Sequence, residues 1–297
     1  MWLFSGVQNL WLKNIRFKRA ATFAVQLGRV KNFLVENITC DECFADGIHI
    51  NGQVYNGMVT NITGTTEDDL VALNTYDWAN STINNGPIEN VTVSKIYNTG
   101  GHCHCIRIQL GVTADDKGAI DCYIKNVIIS NLIGIQTFKL YLQTPPYIDY
   151  PDGTRGGKIE NITFENIELV KNRVSDNTSN YHNKDLVTGH FGVFEIGNNI
   201  DKLTLKNIKA NLPLKDFPDT AHFITVGPKS CYVPNENKEI FDPYVTCVCE
   251  EIAYENIFVD GKIVEDLRNI IKEVTFDNLY NAKLPFGNGK VKTITKL

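Results

Sequence analysis

The sequence predicts an all-β fold, a right-handed parallel β-helix (a solenoid), built as a single domain over residues 1–297 with long inserted loops. Three observations predict it. A nine-residue frame recurs along the chain, apolar residues alternate at period two within each copy, and helical periodicity is missing. Each recurring unit would form short strands that stack about 4.8 Å from those of the next coil.

The frame consists of an apolar residue, two mostly polar residues, and alternating apolar positions that close with Asn and an aliphatic residue. Steps of 23 and 24 residues separate Asn14, Asn37 and Asn61, which indicates the length of one coil. This Asn is expected at a bend, where it tolerates a left-handed backbone and its amide bonds to the Asn of the next coil. The copies are VQNLWLKNI (7–15), VKNFLVENI (30–38), VYNGMVTNI (54–62), IENVTVSKI (88–96), IKNVIISNL (124–132), IENITFENI (159–167), IDKLTLKNI (200–208), CEEIAYENI (249–257) and IKEVTFDNL (271–279).

Long inserts at 170–190 and 210–248 interrupt the regular solenoid, and they have the length of loops that often act as functional lids.

The N-terminal end of the predicted solenoid is a second irregular feature. The first coil begins at about residue 7 with no helix or polar segment over its open end, so the domain is predicted to lack its N-terminal cap. A homo-oligomer, or further residues before Met1, would cover that coil.

Composition and charge narrow the function classes. The chain is 43% apolar and 21% charged, and its formal net charge of -5 offers nucleic acid or an anionic membrane no general attraction. No stretch approaches the roughly 18 uncharged apolar residues of a membrane span. Residues 1–20 lack the organisation of a signal peptide. We therefore expect no nucleic-acid or membrane partner, and a chain that is cytoplasmic if complete or secreted if truncated at its N-terminus.

The eight cysteines are expected to be reduced, buried thiols, because a chain of this length without a secretion signal does not imply disulfides. The HCHC segment at 102–105 suggests metal ligands. In a strand, however, alternate residues point to opposite faces, so its two histidines and two cysteines lie on different sides. Neither a metal nor a cofactor is expected.

Aligning the strand that follows each Asn bend predicts which residues share a face. The aligned segments are FAVQL (23–27), DGIHI (46–50), DLVAL (69–73), HCIRI (104–108) and FKLYL (138–142). A shift of one residue would turn every side chain over, so the apolar alternation fixes the register. The interior residues are then Ile48, Ile50, Val71, Leu73, Ile106, Ile108, Leu140 and Leu142. The outward residues are His49, Asn51, Ala72, Asn74, Arg107, Gln109, Tyr141 and Gln143.

This register brings acidic residues together. Asp46, Asp69 and His104 fall one above another, and Asp68 lies beside Asp69. The coil spacing and residue step put Asp68 roughly 6 Å from Asp46 along the backbone, and side-chain splay extends this into the approximately 6.5–9.5 Å of inverting glycosidases. Crowding would keep Asp68 protonated as a general acid while Asp46 and Asp69 stay ionised. The alternative is a solvated turn at 67–69 with His104 as a surface residue.

These motifs resemble glycoside hydrolase family 28, the polygalacturonase-like enzymes, whose hallmarks are Asn-Thr-Asp-Gly, Gly-(Asp/Gln)-Asp-Asp, Gly-His-Gly and Arg-Ile-Lys on successive coils. FADGIHI is similar to the first, TEDDLVALN to the second and GGHCHCIRI, more loosely, to the third. The resemblance implies that Asp68 protonates the glycosidic oxygen, that Asp46 and Asp69 activate water for inversion, and that His104 tunes the acid. The substrate would be a pectin-like or related poly- or oligosaccharide.

The chain departs from the family at the basic motif that grips the substrate's carboxylate, where FKLYLQT (138–144) has no Arg-Ile-Lys. Arg107 is either a substitute, since a guanidinium binds a carboxylate through two bonds, or an exposed charge. Tyr76 and Trp78 either stack on a sugar ring or pack within their loop. The predicted substrate-binding residues are His49, Asn51, Asn74, Trp78, Arg107, Lys139 and Tyr141.

Two other functions remain open. A uronate lyase or epimerase would use the clustered acids to bind calcium and either Lys139 or Tyr141 as its base. A non-catalytic β-helix would bind carbohydrate without turnover.

Overall fold

A computed structural model describes residues 1–75, 84–101, 106–111, 113–115, 118–120, 122–134, 138–143, 158–169, 191–212, 221–226, 247–273 and 289–297. In these ranges the protein is almost entirely β-strand, with one short 3-10 helix at Leu267–Ile270. Within them, no helix has the length and apolar character needed to cross a membrane.

The chain alternates between two large, mainly parallel sheets, whose strands are numbered here in chain order. The first sheet contains β1 (Trp2–Ser5), β3 (Val25–Gly28), β5 (Ile48–Asn51), β7 (Val71–Asn74), β9 (Ile106–Gly111), β13 (Phe138–Gln143), β15 (Phe191–Gly197), β17 (Ala221–Val226) and β20 (Ile271–Glu273). The second contains β2 (Gln8–Lys18), β4 (Lys31–Cys43), β6 (Val54–Thr66), β8 (Ile88–Gly101), β12 (Ile124–Ile133), β14 (Ile159–Glu168), β16 (Ile200–Ala210), β18 (Val248–Val259), β19 (Lys262–Ile263) and β21 (Lys290–Lys296). A separate antiparallel pair comprises β10 (Thr113–Asp115) and β11 (Gly118–Ile120).

This arrangement confirms the all-β class and is compatible with the predicted parallel β-helix. Strands of the first sheet follow the order β1-β3-β5-β7-β9-β13-β15-β17-β20, so each pairs in parallel with the next one along the chain in that sheet. The predicted open coil corresponds to β1 and β2, each of which is an edge strand of its sheet.

The register of the first sheet confirms the predicted alignment from β3 to β9. Ile48 pairs with Val71, and Val71 pairs with Ile106. The predicted interior residues of β5, β7 and β9 are fully buried in one continuous apolar core, as is Leu140. The cysteines that the structure describes with their side chains are free and buried, as expected, at Cys40, Cys43, Cys122, Cys247 and Cys249.

The predicted alignment is wrong by two residues at β13. Phe138 pairs with Ile106 and Leu140 pairs with Ile108, so Lys139 rather than Tyr141 lies opposite Arg107. A slip of two residues keeps every side chain on its predicted face, so a pattern of period two cannot detect it.

Asparagine ladders confirm the predicted role of the recurrent Asn. Asn14, Asn37 and Asn61 have φ values of 59°, 56° and 56°. Nδ2 of Asn37 donates to Oδ1 of Asn14 at 2.7 Å, and Asn61 donates to Asn37 at 3.1 Å. The sequence frame also holds a second column of left-handed asparagines that was not predicted. Hydrogen bonds join Asn9 to Asn32, and they join Asn56, Asn90, Asn126 and Asn161 in series.

We expect Asn37→Ala to destabilise the protein by about 1–2 kcal/mol, because alanine lacks the polar side chain that helps asparagine to adopt the left-handed region and because both ladder bonds are lost. Asn37→Gly, which loses the bonds but tolerates the backbone, should cost less. Denaturant titration of both variants measures the difference. If Asn37→Gly destabilises the protein as much as Asn37→Ala does, tolerance of the left-handed backbone does not explain the asparagine at position 37.

Candidate active site

The backbone stacks Asp46 directly on Asp69 at the head of β5 and β7. The amide of Ala24 donates to the carbonyl of Asp46, and the amide of Gly47 donates to that of Asp69, each at 2.9 Å. Asp68 lies beside Asp69, and one carboxylate oxygen of each aspartate lies within 4.8 Å of those of the other two. The predicted convergence of the three acids is therefore present.

Gly47 allows this close stacking. A Cβ added at this position would lie 2.6 Å from the backbone carbonyl oxygen of Leu70, the residue before β7. Real Cβ atoms essentially never approach so closely. The glycine that follows Asp46 in the sequence is therefore required by this contact with the backbone before β7.

Both oxygens of Asp46 accept from donors of the protein. Nδ1 of His49 lies 2.6 Å from Oδ2, and a guanidinium nitrogen of Arg107 lies 3.5 Å from the same oxygen. The backbone amide of Asp69 donates to Oδ1 at 3.1 Å. Through the bond from the Asp69 amide, Asp46 fixes the backbone of the segment that carries Asp68 and Asp69. It also contributes its own carboxylate to the site.

Arg107 forms an ion pair with both buried acids. Its Nε lies 2.8 Å from Oδ2 of Asp69, and its side chain also reaches Asp46. The residue is only 8% exposed, so the interpretation of Arg107 as an exposed charge is wrong. The carboxylates that Arg107 contacts in this structure belong to Asp46 and Asp69 rather than to a substrate.

The charged form of Asp46 is stabilised despite its burial. Burial alone would raise the pKa of Asp46, because it removes water from the charged carboxylate. The Arg107 guanidinium and the hydrogen bond with His49 outweigh burial and hold that pKa below its ordinary value. Asp46 is therefore ionised at neutral pH, as predicted, whereas protonation of Asp68 stays a prediction.

Phe23 is part of the site that the sequence interpretation did not include. Its ring stacks on the imidazole of His49, with centroids 3.9 Å apart and planes 14° apart. The contact fixes the ring that meets Asp46. The alignment did contain a signal, because it places Phe23 at the head of the strand that precedes Asp46.

The predicted polar face is buried rather than open. Asp46, Asp69, His49, Asn51 and Asn74 are all 0% exposed, whereas Asp68 is half-buried. His49, Asn51 and Asn74 occupy the outward strand positions that alternate with the core residues, as predicted, and all three are buried. Asp68 is the acid of the three whose side chain is partly accessible to solvent.

Asn51 and Asn74 occupy matched positions on β5 and β7. Nδ2 of Asn51 donates to the carbonyl of Asn74 at 3.3 Å, and Oδ1 of Asn51 accepts from the amide of Asn84 at 3.2 Å. These bonds connect the sheet to the segment that follows β7. Substrate contact by either residue stays a prediction.

Five candidate site residues have no side-chain description. His104 and Trp78 lie outside the described residues, as does Tyr76. For Lys139 and Tyr141 the structure describes the backbone only, with Lys139 opposite Arg107 and Tyr141 opposite Gln109.

Comparisons with known protein families, with curated proteins and with solved structures found no match to this chain. Its chemistry is therefore interpreted from the site itself. The half-buried carboxyl group of Asp68 lies beside the buried carboxylates of Asp46 and Asp69, which both contact the guanidinium of Arg107. Such a set places one partly accessible carboxyl group beside two buried carboxylates that a guanidinium holds.

Proposed function

We propose that this protein is a glycoside hydrolase of the polygalacturonase-like type, acting on a pectin-like or related poly- or oligosaccharide. The observation that carries the proposal is the convergence of Asp46, Asp68 and Asp69, with Asp68 as the accessible member. The stacked parallel sheets support the finer fold proposal, a right-handed solenoid with its acids on one outer face.

Each acid takes a separate role in this proposal. Asp68 protonates the glycosidic oxygen as the bond to the anomeric carbon breaks. Asp69, ionised beside Arg107, accepts a proton from the attacking water. Asp46 acts as a positioning residue, because both of its oxygens already bind donors of the protein, one of which is the amide of Asp69.

The spacing of the acids contradicts the predicted separation of approximately 6.5–9.5 Å between Asp68 and Asp46, and it is nearer the roughly 5–5.5 Å of retaining enzymes. Oxygens within 4.8 Å of one another are closer than the roughly 6.5–9.5 Å expected for an inverting pair. Inversion therefore rests on the family resemblance. Proton NMR of the first-formed sugar anomer measures it.

A hydrolysis assay tests the proposed function. The purified chain is incubated with a panel of pectic and neutral polysaccharides and oligosaccharides, and reducing ends are counted while products are identified by mass spectrometry. We expect saturated products, each increased by the mass of water. Glycan binding without any product after prolonged incubation would instead identify a non-catalytic carbohydrate-binding protein.

A uronate lyase or epimerase is the second candidate, favoured by the same spacing. Carboxylate oxygens bind Ca²⁺ at about 2.3–2.6 Å, so three oxygens within 4.8 Å suit a single cation. Arg107 weighs against it, because its guanidinium lies 2.8 Å from Asp69 and 3.5 Å from Asp46. A second cation bound to the same oxygens would be repelled.

Product chemistry and metal dependence separate these two candidates. A lyase gives unsaturated products that absorb in the ultraviolet, and a chelator abolishes its activity. The hydrolase gives no such absorbance and keeps its activity in chelator.

Association of two copies through the edge strands β1 and β2 is a further proposal. Light scattering of the purified protein measures its mass in solution and so tests this association.

A further inference from the structure

One outward column of the first sheet passes through the site. Register pairs the residues of this column strand by strand, and most of the described members carry long or polar side chains. Ala72, on β7, is the member with the smallest side chain, and it is completely buried. From β1 to β20 the column is Leu3, Gln26, His49, Ala72, Arg107, Lys139, Glu195, Thr225 and Lys272.

Ala72 lies between the two residues that hold Asp46. It pairs with His49 on one side and with Arg107 on the other. His49 and Arg107 therefore stand two strands apart, about 9.6 Å at the usual strand spacing. Both nevertheless reach the same oxygen of Asp46, at 2.6 Å and 3.5 Å.

Arg107 must cross the strand that carries Ala72 to make this contact. Its Nε meets Asp69, at the head of the strand that carries Ala72, and its terminal nitrogen continues to Asp46, one strand further. We propose that Ala72 is a positioning residue, whose methyl side chain leaves the space through which Arg107 holds Asp46 and Asp69 together. The effect of Ala72 on catalysis rests on the proposed function, whereas its effect on the acids does not.

Aspartate titration tests the proposal without an activity assay. Carbon NMR of aspartate-labelled protein follows the Asp46 carboxyl through pH, and its resonance is assigned by its loss in Asp46→Asn. The titratable and charged groups that face Asp46 in the described part of the structure are Asp68, Asp69, His49 and Arg107. A larger side chain at position 72 should displace the guanidinium and move the titration of Asp46 upward.

Ala72→Leu is the test variant and Ala72→Ser the size-matched control. We expect Ala72→Leu to titrate at a higher pH than the parent, with Ala72→Ser unchanged. If Ala72→Leu fails to fold by circular dichroism, Ala72→Val, a better strand residue, takes its place. An unchanged titration in the larger variant, or an equal shift in Ala72→Ser, would overturn the proposal.

A double-mutant cycle shows whether Ala72 acts through Arg107. With Arg107→Lys as the second change, the two shifts should not add, because both act on the same contact. Additive shifts would mean that position 72 affects Asp46 by another route, which contradicts the proposal. If the titrations behave as expected but the parent hydrolyses nothing, the proposed function fails while the role of Ala72 stands.

Discussion

Arg107→Met is expected to lower the free energy of unfolding by about 3–5 kcal/mol at pH 7, since it leaves buried charge without its partner. Asp46 and Asp69 are both fully buried, and Arg107 reaches the two of them at 3.5 Å and 2.8 Å. Methionine fills a similar volume to arginine. The loss of unfolding free energy is therefore caused by removal of the positive charge rather than by a new cavity. Denaturant unfolding at pH 7 measures it.

The deficit of Arg107→Met should shrink as the pH falls from 7 towards 4. In the parent, the lowered pKa of Asp46 contributes stability that is present above the ordinary value of 3.8 and is lost as the pH falls through the folded value. Without Arg107, burial raises the pKa of Asp46, so the folded variant takes up a proton at a higher pH than the parent does. Protonation then removes the unpaired charge.

Two further variants identify the cause of this deficit. Arg107→Lys keeps the charge but not the planar fork that meets both acids, so its deficit should be smaller than that of methionine. Adding Asp69→Asn to Arg107→Met removes one of the unpaired carboxylates and should recover part of the stability. A deficit that is the same at pH 7 and pH 4 would contradict the electrostatic explanation.

Two local sequence patterns, the alternation of apolar residues and the recurrent asparagine, were sufficient to predict most of the strand faces and bends. Period-two alternation fixed which residues of β5, β7 and β9 face the core, because a strand has only two faces. The recurring Asn marked the left-handed bends, since few other residues adopt that backbone at low cost. The same alternation could not place β13, where a slip of two residues preserves both faces.

The contacts of the site were less accessible to sequence reasoning. Register placed Asp46 above Asp69, but the partner of Arg107 depended on how far its side chain reaches across neighbouring strands. Arg107 and Asp46 are 61 residues apart in the chain, and their contact crosses the strand that carries Ala72. His49 contacts Asp46 within the site, which the alignment did not predict, while its predicted role in binding substrate stays a prediction. Burial of this face depends on residues far apart in sequence, so strand patterns alone did not predict it.

Asp68→Asn is expected to reduce hydrolysis of a natural polysaccharide by about 10²–10⁴-fold, because a general acid contributes that much to the rate. The fold should be unaffected. Asp68 is half-buried, and asparagine has nearly the same size and shape as aspartate, so the substitution leaves no space to fill. Turnover and thermal unfolding of the variant are measured together.

Glu67→Gln is the matched control, since it removes a charge from the exposed neighbour of Asp68 by the same chemical change. We expect it to retain full activity. An aryl glycoside whose leaving group departs without protonation should restore turnover in Asp68→Asn but not in Asp69→Asn, because only the acid becomes unnecessary. An equal loss on natural and aryl substrates would place the role of Asp68 in binding, and retained activity on both would exclude it as the acid.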